Sequence, residues 1–171
     1  MGRYSEPEAH SGKYNEELDK FTLILMGETL EIYDASPKSG PDLIAKVPVK
    51  IFHLALNKKL NKELTLEELF IELGNYTPLI SVEAEFTMFE GSPYRYGDDA
   101  DGNRGEIRTD IEDLEEDNLE IHKSELRLID DDGEALGGED NFIELGDVSS
   151  KEDALAKWIV SEINSNTDNY L

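Results

Sequence analysis

An α+β fold follows from three features of the chain. A pair of apolar runs meets at a glycine near the amino end, one long segment alternates strictly in the middle, and an amphipathic stretch closes the sequence. Together they predict about six strands, mostly antiparallel, with two or three helices. A single domain is expected over residues 21–164, with an acidic region at 98–147 and a short tail at 165–171.

The first twenty residues, MGRYSEPEAHSGKYNEELDK, are polar and read as a flexible amino-terminal segment. They lack the apolar core of a secretory signal, and Glu6 stands where a myristoylation pattern needs Ser or Thr. FTLILMGETLEIYD (21–34) reads as a hairpin, because Gly27 accepts the positive φ that a tight type II′ turn demands at its first position. SPKSGP (36–41) is a loop by composition. LIAKVPVKIFHLAL (43–56) is β-branched and partly alternating, so a strand is expected, at an edge or with a bulge because Pro48 cannot donate to a ladder.

TLEELFIELG (65–74) carries a capping box, Thr65 with Glu68, and a terminal Gly74. A helix there would place Leu66, Leu69, Phe70 and Leu73 on one face. In PLISVEAEFTMF (78–89), Ile80, Val82, Ala84, Phe86 and Met88 alternate with polar or smaller neighbours, the pattern of a half-buried strand. GSPYRYGDDADGNRG (91–105) reads as a long loop. LEIHKSELRLIDDDGEAL (119–136) reads as a strand running into an Asp132-Gly133 hairpin, and NFIEL (141–145) as a further short strand. SSKEDALAKWIVSEIN (149–164) is an amphipathic helix capped by Ser150, with Leu155, Trp158, Ile159 and Ile163 as its apolar stripe.

Charge narrows the function more than motifs do. The net charge is −24, from 40 acidic and 16 basic residues. Residues 90–147 alone hold 21 of those acids against 5 bases, whereas residues 42–62 gather Lys46, Lys50, Lys58, Lys59 and Lys62. Eleven lysines and plentiful Ile and Asn make this unlike a halophilic surface, and the uneven distribution implies an acidic face. Such a chain is repelled by nucleic acid and by anionic lipid, and it associates fastest with basic proteins at low salt. No stretch approaches the ~20 apolar residues of a membrane helix. There are no cysteines, which removes thiolate catalysis, disulfides and sulfur-ligated zinc. A cytoplasmic location, in the producing cell or a host cell, is the expectation.

Catalytic and metal motifs are weak. Asp99, Asp101 and Asn103 alternate as in a calcium loop, but the glycine comes one residue late and Asp110 stands where a bidentate Glu belongs. The three histidines, His10, His53 and His122, are scattered. His122 and Ser124 would share a strand face, yet no nucleophile-elbow pattern accompanies them. No nucleotide-binding glycine motif is present. No cofactor is expected, and the chain is not expected to be an enzyme.

The densest charge lies in TDIEDLEED (109–117), where Asp110, Glu112, Asp113, Glu115, Glu116 and Asp117 fill six of nine positions. Thr109 with Glu112 forms a second capping box, so a short helix pinned by Ile111 and Leu114 is the expected form. A helix would present a charge about every 2 Å, close to the ~1.7 Å of duplex DNA; an extended chain would present one about every 5 Å, closer to a single strand of phosphates. The residues expected to meet a partner are these six carboxylates, with Asp130, Asp131 and Asp132 as a second cluster and Tyr94 and Tyr96 as aromatic anchors.

The function expected from these features is an acidic protein-binding inhibitor. It would imitate nucleic acid in the basic groove of a nuclease or other DNA- or RNA-binding defence protein. Two alternatives share its charge logic: an immunity or antitoxin protein that plugs the basic active site of a toxin, and a structural or assembly protein of a virion or secretion complex.

Overall fold

The computed structural model describes residues 9–34, 42–91, 94–96, 106–108, 111–148 and 152–170. Its elements are β1 (Ala9–Leu18), β2 (Phe21–Met26), β3 (Thr29–Asp34), β4 (Asp42–Pro48), α1 (Lys50–Leu60), α2 (Leu66–Leu73), β5 (Thr77–Phe89), β6 (Tyr94–Tyr96) and β7 (Glu106–Arg108). A single 3₁₀ turn (Glu116–Asn118) then leads to β8 (Leu119–Ile129), β9 (Ile143–Glu144), α3 (Leu145–Val148), α4 (Glu152–Ser165) and α5 (Thr167–Tyr170). One antiparallel sheet has the order β1-β5-β8-β9, a second has β2-β3-β4, and β6 pairs with β7 alone. The fold is therefore α+β with mostly antiparallel sheet.

The alternating segment becomes β5, the centre of the larger sheet. Ile80, Val82, Ala84, Phe86 and Met88 all lie buried on its inner side. They join Leu126 and Leu128 of β8, Leu30 and Ile32 of β3, and Ile159 and Ile163 of α4 in one apolar cluster. The hairpin forms as expected, with Gly27 at φ +62°. Glu28 keeps a negative φ, so the turn has the mirror-type geometry that only its first position needs glycine to adopt. Trp158 of α4 donates its indole N–H to Asp34 Oδ2 at 2.6 Å, which ties that helix to β3 and supplies the buried carboxylate with a charge-assisted bond.

Four departures from the sequence reading have local causes. The strand expected over 43–56 stops at Pro48, and residues 50–60 form α1 instead. Pro48 occupies the end of an edge strand, where its missing donor costs nothing. Val49 then turns helical, and Phe52 and Leu56 bury at helical spacing. What looked like partial alternation was a 3.6-residue period cut short by the preceding strand.

In α2 the capping box forms, but only Leu69 and Leu73 are buried; Leu66 and Phe70 point outward, 43% and 62% exposed. The polar stretch at 9–18, to which no strand was assigned, is β1, an edge strand paired with β5 over ten residues. Gly12 permits that pairing, since a Cβ there would lie 2.4 Å from the Phe86 ring and 2.6 Å from the Tyr170 carbonyl oxygen. The tail expected at 165–171 contains α5, whose Tyr170 ring packs 5.0 Å from that of Tyr14.

Candidate partner-binding face

From Ile111 onward the acidic run is not a helix. Ile111 bridges Glu90 at the end of β5, and the Glu112 N–H donates to the Phe89 carbonyl at 2.8 Å. Leu114 then turns inward and is 4% exposed. Asn164 of α4 grips its peptide on both sides: the Leu114 N–H donates to Asn164 Oδ1 at 2.7 Å, and Asn164 Nδ2 donates to the Leu114 carbonyl at 3.2 Å. A side-chain amide here plays the part of a neighbouring strand. Glu115 is extended, at φ −103° and ψ 154°, and the 3₁₀ turn delivers the chain into β8.

From Ile111 on, a helix loses to these long-range bonds for a further reason. A helix would set Glu112 against Glu116, and Asp113 against Asp117, at the i,i+4 spacing where like charges repel. Extension sends successive side chains to opposite sides and relieves that repulsion. Thr109 and Asp110 lie outside the described residues.

The outcome is a ledge whose backbone is fixed while its carboxylates are not engaged. Glu112, Asp113, Glu115, Glu116 and Asp117 are all exposed. Among the described residues none of the five carboxylates has an ion-pair or hydrogen-bond partner.

Two acids not singled out from the sequence continue the ledge onto the sheet. Glu85 of β5 and Glu120 of β8 are direct cross-strand partners, and with Asp117, Ser11 and Lys13 they border a groove of about 440 Å³. Like charges placed opposite each other weaken a sheet, which makes this arrangement a cost to the fold. Their juxtaposition depends on a bulge: Glu83 pairs with Lys123 but Ala84 pairs with Ile121, so His122 is an extra residue. Alternation read from the sequence does not show that shift.

The same bulge separates His122 from Ser124. Ser124 is buried and donates its hydroxyl to Glu144 Oε1 at 2.7 Å, while exposed His122 lies 3.6 Å from Glu85 Oε2. The shared strand face expected for the two residues is not formed. His53 belongs to α1, where its Nε2 lies 2.8 Å from the Leu64 carbonyl oxygen, and His10 lies 3.1 Å from Glu90.

The second acidic cluster is structurally different. Asp130 Oδ1 accepts the backbone N–H groups of Asp132 and Glu134, both at 2.9 Å, and Gly133 adopts φ +82°. The Asp130 carboxylate therefore builds the turn after β8, and only Asp131 and Asp132 are fully exposed. This cluster follows β8 and the ledge precedes it, so the eleven-residue strand holds them roughly 30 Å apart. They do not form one patch.

Tyr94 and Tyr96 lie in β6, paired with Arg108 and Glu106 of β7; their side chains are outside the described part of the structure. Asp99, Asp101 and Asn103 also lie outside the described residues. Among those described, no three His, Asp or Glu side chains converge as a metal-holding group. No described helix is long and apolar enough to cross a membrane.

The lysine-rich stretch is partly neutralised. Lys62 pairs with Glu68, and this bond, with the capping N–H of Thr65, holds the Glu68 carboxyl below its ordinary range. Lys46 lies 4.0 Å from Glu31, and Lys59 donates to the Tyr76 hydroxyl at 2.9 Å, an interaction that raises the lysine pKa.

No family model, curated protein or solved structure matches this chain.

Proposed function

We propose that the chain is an acidic protein-binding inhibitor that presents the 111–118 ledge to the basic groove of a nucleic-acid-binding protein. One observation carries this reading: five exposed carboxylates, without a partner among the described residues, stand on a backbone held by Asn164, Leu114 and the end of β5. Preorganised charge costs little ordering entropy when a partner arrives, and it speeds encounter through electrostatic steering. In this reading the chain acts by occupying a groove, without catalysis.

The ledge supports imitation of a single strand more than of a duplex, because residues 111–115 form no helix and Glu115 is extended, which spaces the charges more widely than a helix would. The immunity-protein alternative calls for a compact cluster around an aromatic anchor. Separation of the two acidic clusters by the length of β8 favours a row over a plug.

The test is capture of partners from a native-host lysate at low salt, followed by competition with single-stranded and duplex oligonucleotides. The reading expects a bound protein that single-stranded oligonucleotide displaces and that added salt releases. It also expects the combined Glu112→Lys, Glu115→Lys and Glu116→Lys variant to lose that protein without any fall in its melting temperature. Binding that ignores oligonucleotide would favour a plugged toxin. Binding that survives the triple reversal would remove the ledge as the contact.

A further inference from the structure

We infer that β2 is a self-association edge, and that two copies of this chain pair antiparallel through it to make one continuous six-stranded sheet. The other described edges of the two main sheets are guarded in the ways that prevent such pairing. β1 carries exposed Lys13, Glu16 and Glu17. β4 carries Asp42 and Lys46, ends in Pro48, and is bulged where Ile32 pairs with Ala45 but Tyr33 pairs with Leu43. β9 has two residues.

β2 reads FTLILM, with no charge, proline or bulge over six residues. Ile24 and Met26 are 43% and 59% exposed on its outer face. On its inner side Leu23 and Leu25 share a groove of about 430 Å³ with Phe70 and Ile71 of α2, which are themselves 62% and 70% exposed. An added strand would find an apolar surface on both faces, as strand addition to a sheet edge requires.

The occupant is identified by register. In a two-fold antiparallel pair the residue numbers of opposed positions have a constant sum, and that sum must be even for matching faces to meet. Pairing Ile24 with Ile24 of the second copy fixes the sum. It then places Leu23 opposite Leu25, Thr22 opposite Met26, and Lys20 of each copy opposite Glu28 of the other. Lys20 and Glu28 are exposed, and neither side chain has an ion-pair or hydrogen-bond partner among the described residues. A strand whose apolar residues match themselves and whose two flanking charges are complementary suits a second copy of itself. It would also explain an unguarded edge on a protein carrying −24.

The chain has no cysteine, so single-cysteine variants report register directly. Light scattering over a concentration series is expected to show dimer formation by the unmodified chain. Oxidised Ile24→Cys should cross-link to a covalent dimer, while Thr22→Cys and Met26→Cys should cross-link only when mixed with each other. Lys20→Glu and Glu28→Lys should each weaken the dimer, and the two changes in one chain should restore it. Ile24→Lys, an exposed substitution that opposes two like charges, should weaken it by at least about tenfold. Salt should strengthen this association by screening net repulsion, the opposite of its expected effect on a basic partner. A monomer at every concentration and salt would overturn the inference, as would self-cross-linking of Thr22→Cys or Met26→Cys in place of Ile24→Cys.

Discussion

The two acidic segments that flank β8 are alike in being rich in carboxylates and opposite in internal wiring. In the turn, the Asp130 carboxylate is a structural acceptor that closes its own loop. On the ledge no described carboxylate bonds another described residue; the Leu114 side chain and the amide of Asn164 hold the backbone instead. Sequence composition makes the two equally suitable for a partner, but only the ledge leaves every described acid available. Surface charge is thus of two kinds, charge that supports the backbone and charge that the backbone supports, and the second kind is the better marker of an interaction face.

The strongest way to break this contrast is at the ledge's anchor. Leu114→Ala should cost about 2–5 kcal/mol, because a buried leucine leaves both lost transfer energy and a cavity. Asn164→Ala should cost about 1–3 kcal/mol, since it leaves the part-buried N–H and carbonyl of Leu114 without their partner. Chemical denaturation measures both. The ledge is also expected to lose hydrogen-exchange protection at Glu112 and Leu114 in the Asn164 variant, before the core strands do. If either variant is as stable as the parent, the ledge is not held in the way described.

An intermediate effect is expected in the turn. Asp130→Ala should cost about 1 kcal/mol through the two lost backbone acceptor bonds, whereas Asp131→Ala and Asp132→Ala should stay within about 0.5 kcal/mol. Equal costs at all three positions would mean that Asp130 is not the residue that closes the loop.

How much of this was legible in the sequence depended on the range of the interactions involved. The β5 alternation, the Gly27 turn and the Thr65–Glu68 box are decided within a few residues, and each formed where its local pattern placed it. The hairpin expected at Asp132-Gly133 is a wider turn closed by Asp130, with a single return bridge from Ile129 to Ala135. The Thr109–Glu112 box is as good a local signal as the Thr65–Glu68 one. From Ile111 on it is overruled by Asn164, fifty positions away, and by the end of β5. The strand at 9–18 was hidden because an edge strand needs few apolar residues, and only Tyr14 is fully buried in it. Phe70 shares a helical face with Leu66 but not a neighbour to cover it, and helical periodicity cannot say which side of α2 the sheets will reach. The Glu85–Glu120 juxtaposition needed a bulge that no alternation pattern reports.

The smallest effect on stability is expected where the effect on binding is largest. Replacing Glu112, Glu115 and Glu116 together by Gln removes three charges that make no bond among the described residues, so the described fold loses no contact and sheds some mutual repulsion. Stability should rise by no more than about 0.5 kcal/mol. The gain should vanish near 1 M salt, where the screening length falls to ~3 Å and the wild-type charges no longer feel one another. Wild type and variant should therefore have melting temperatures that converge as salt is added. If instead the variant is less stable at every salt concentration, those carboxylates belong with Asp130 as supports of the backbone, and the distinction between the ends of β8 fails.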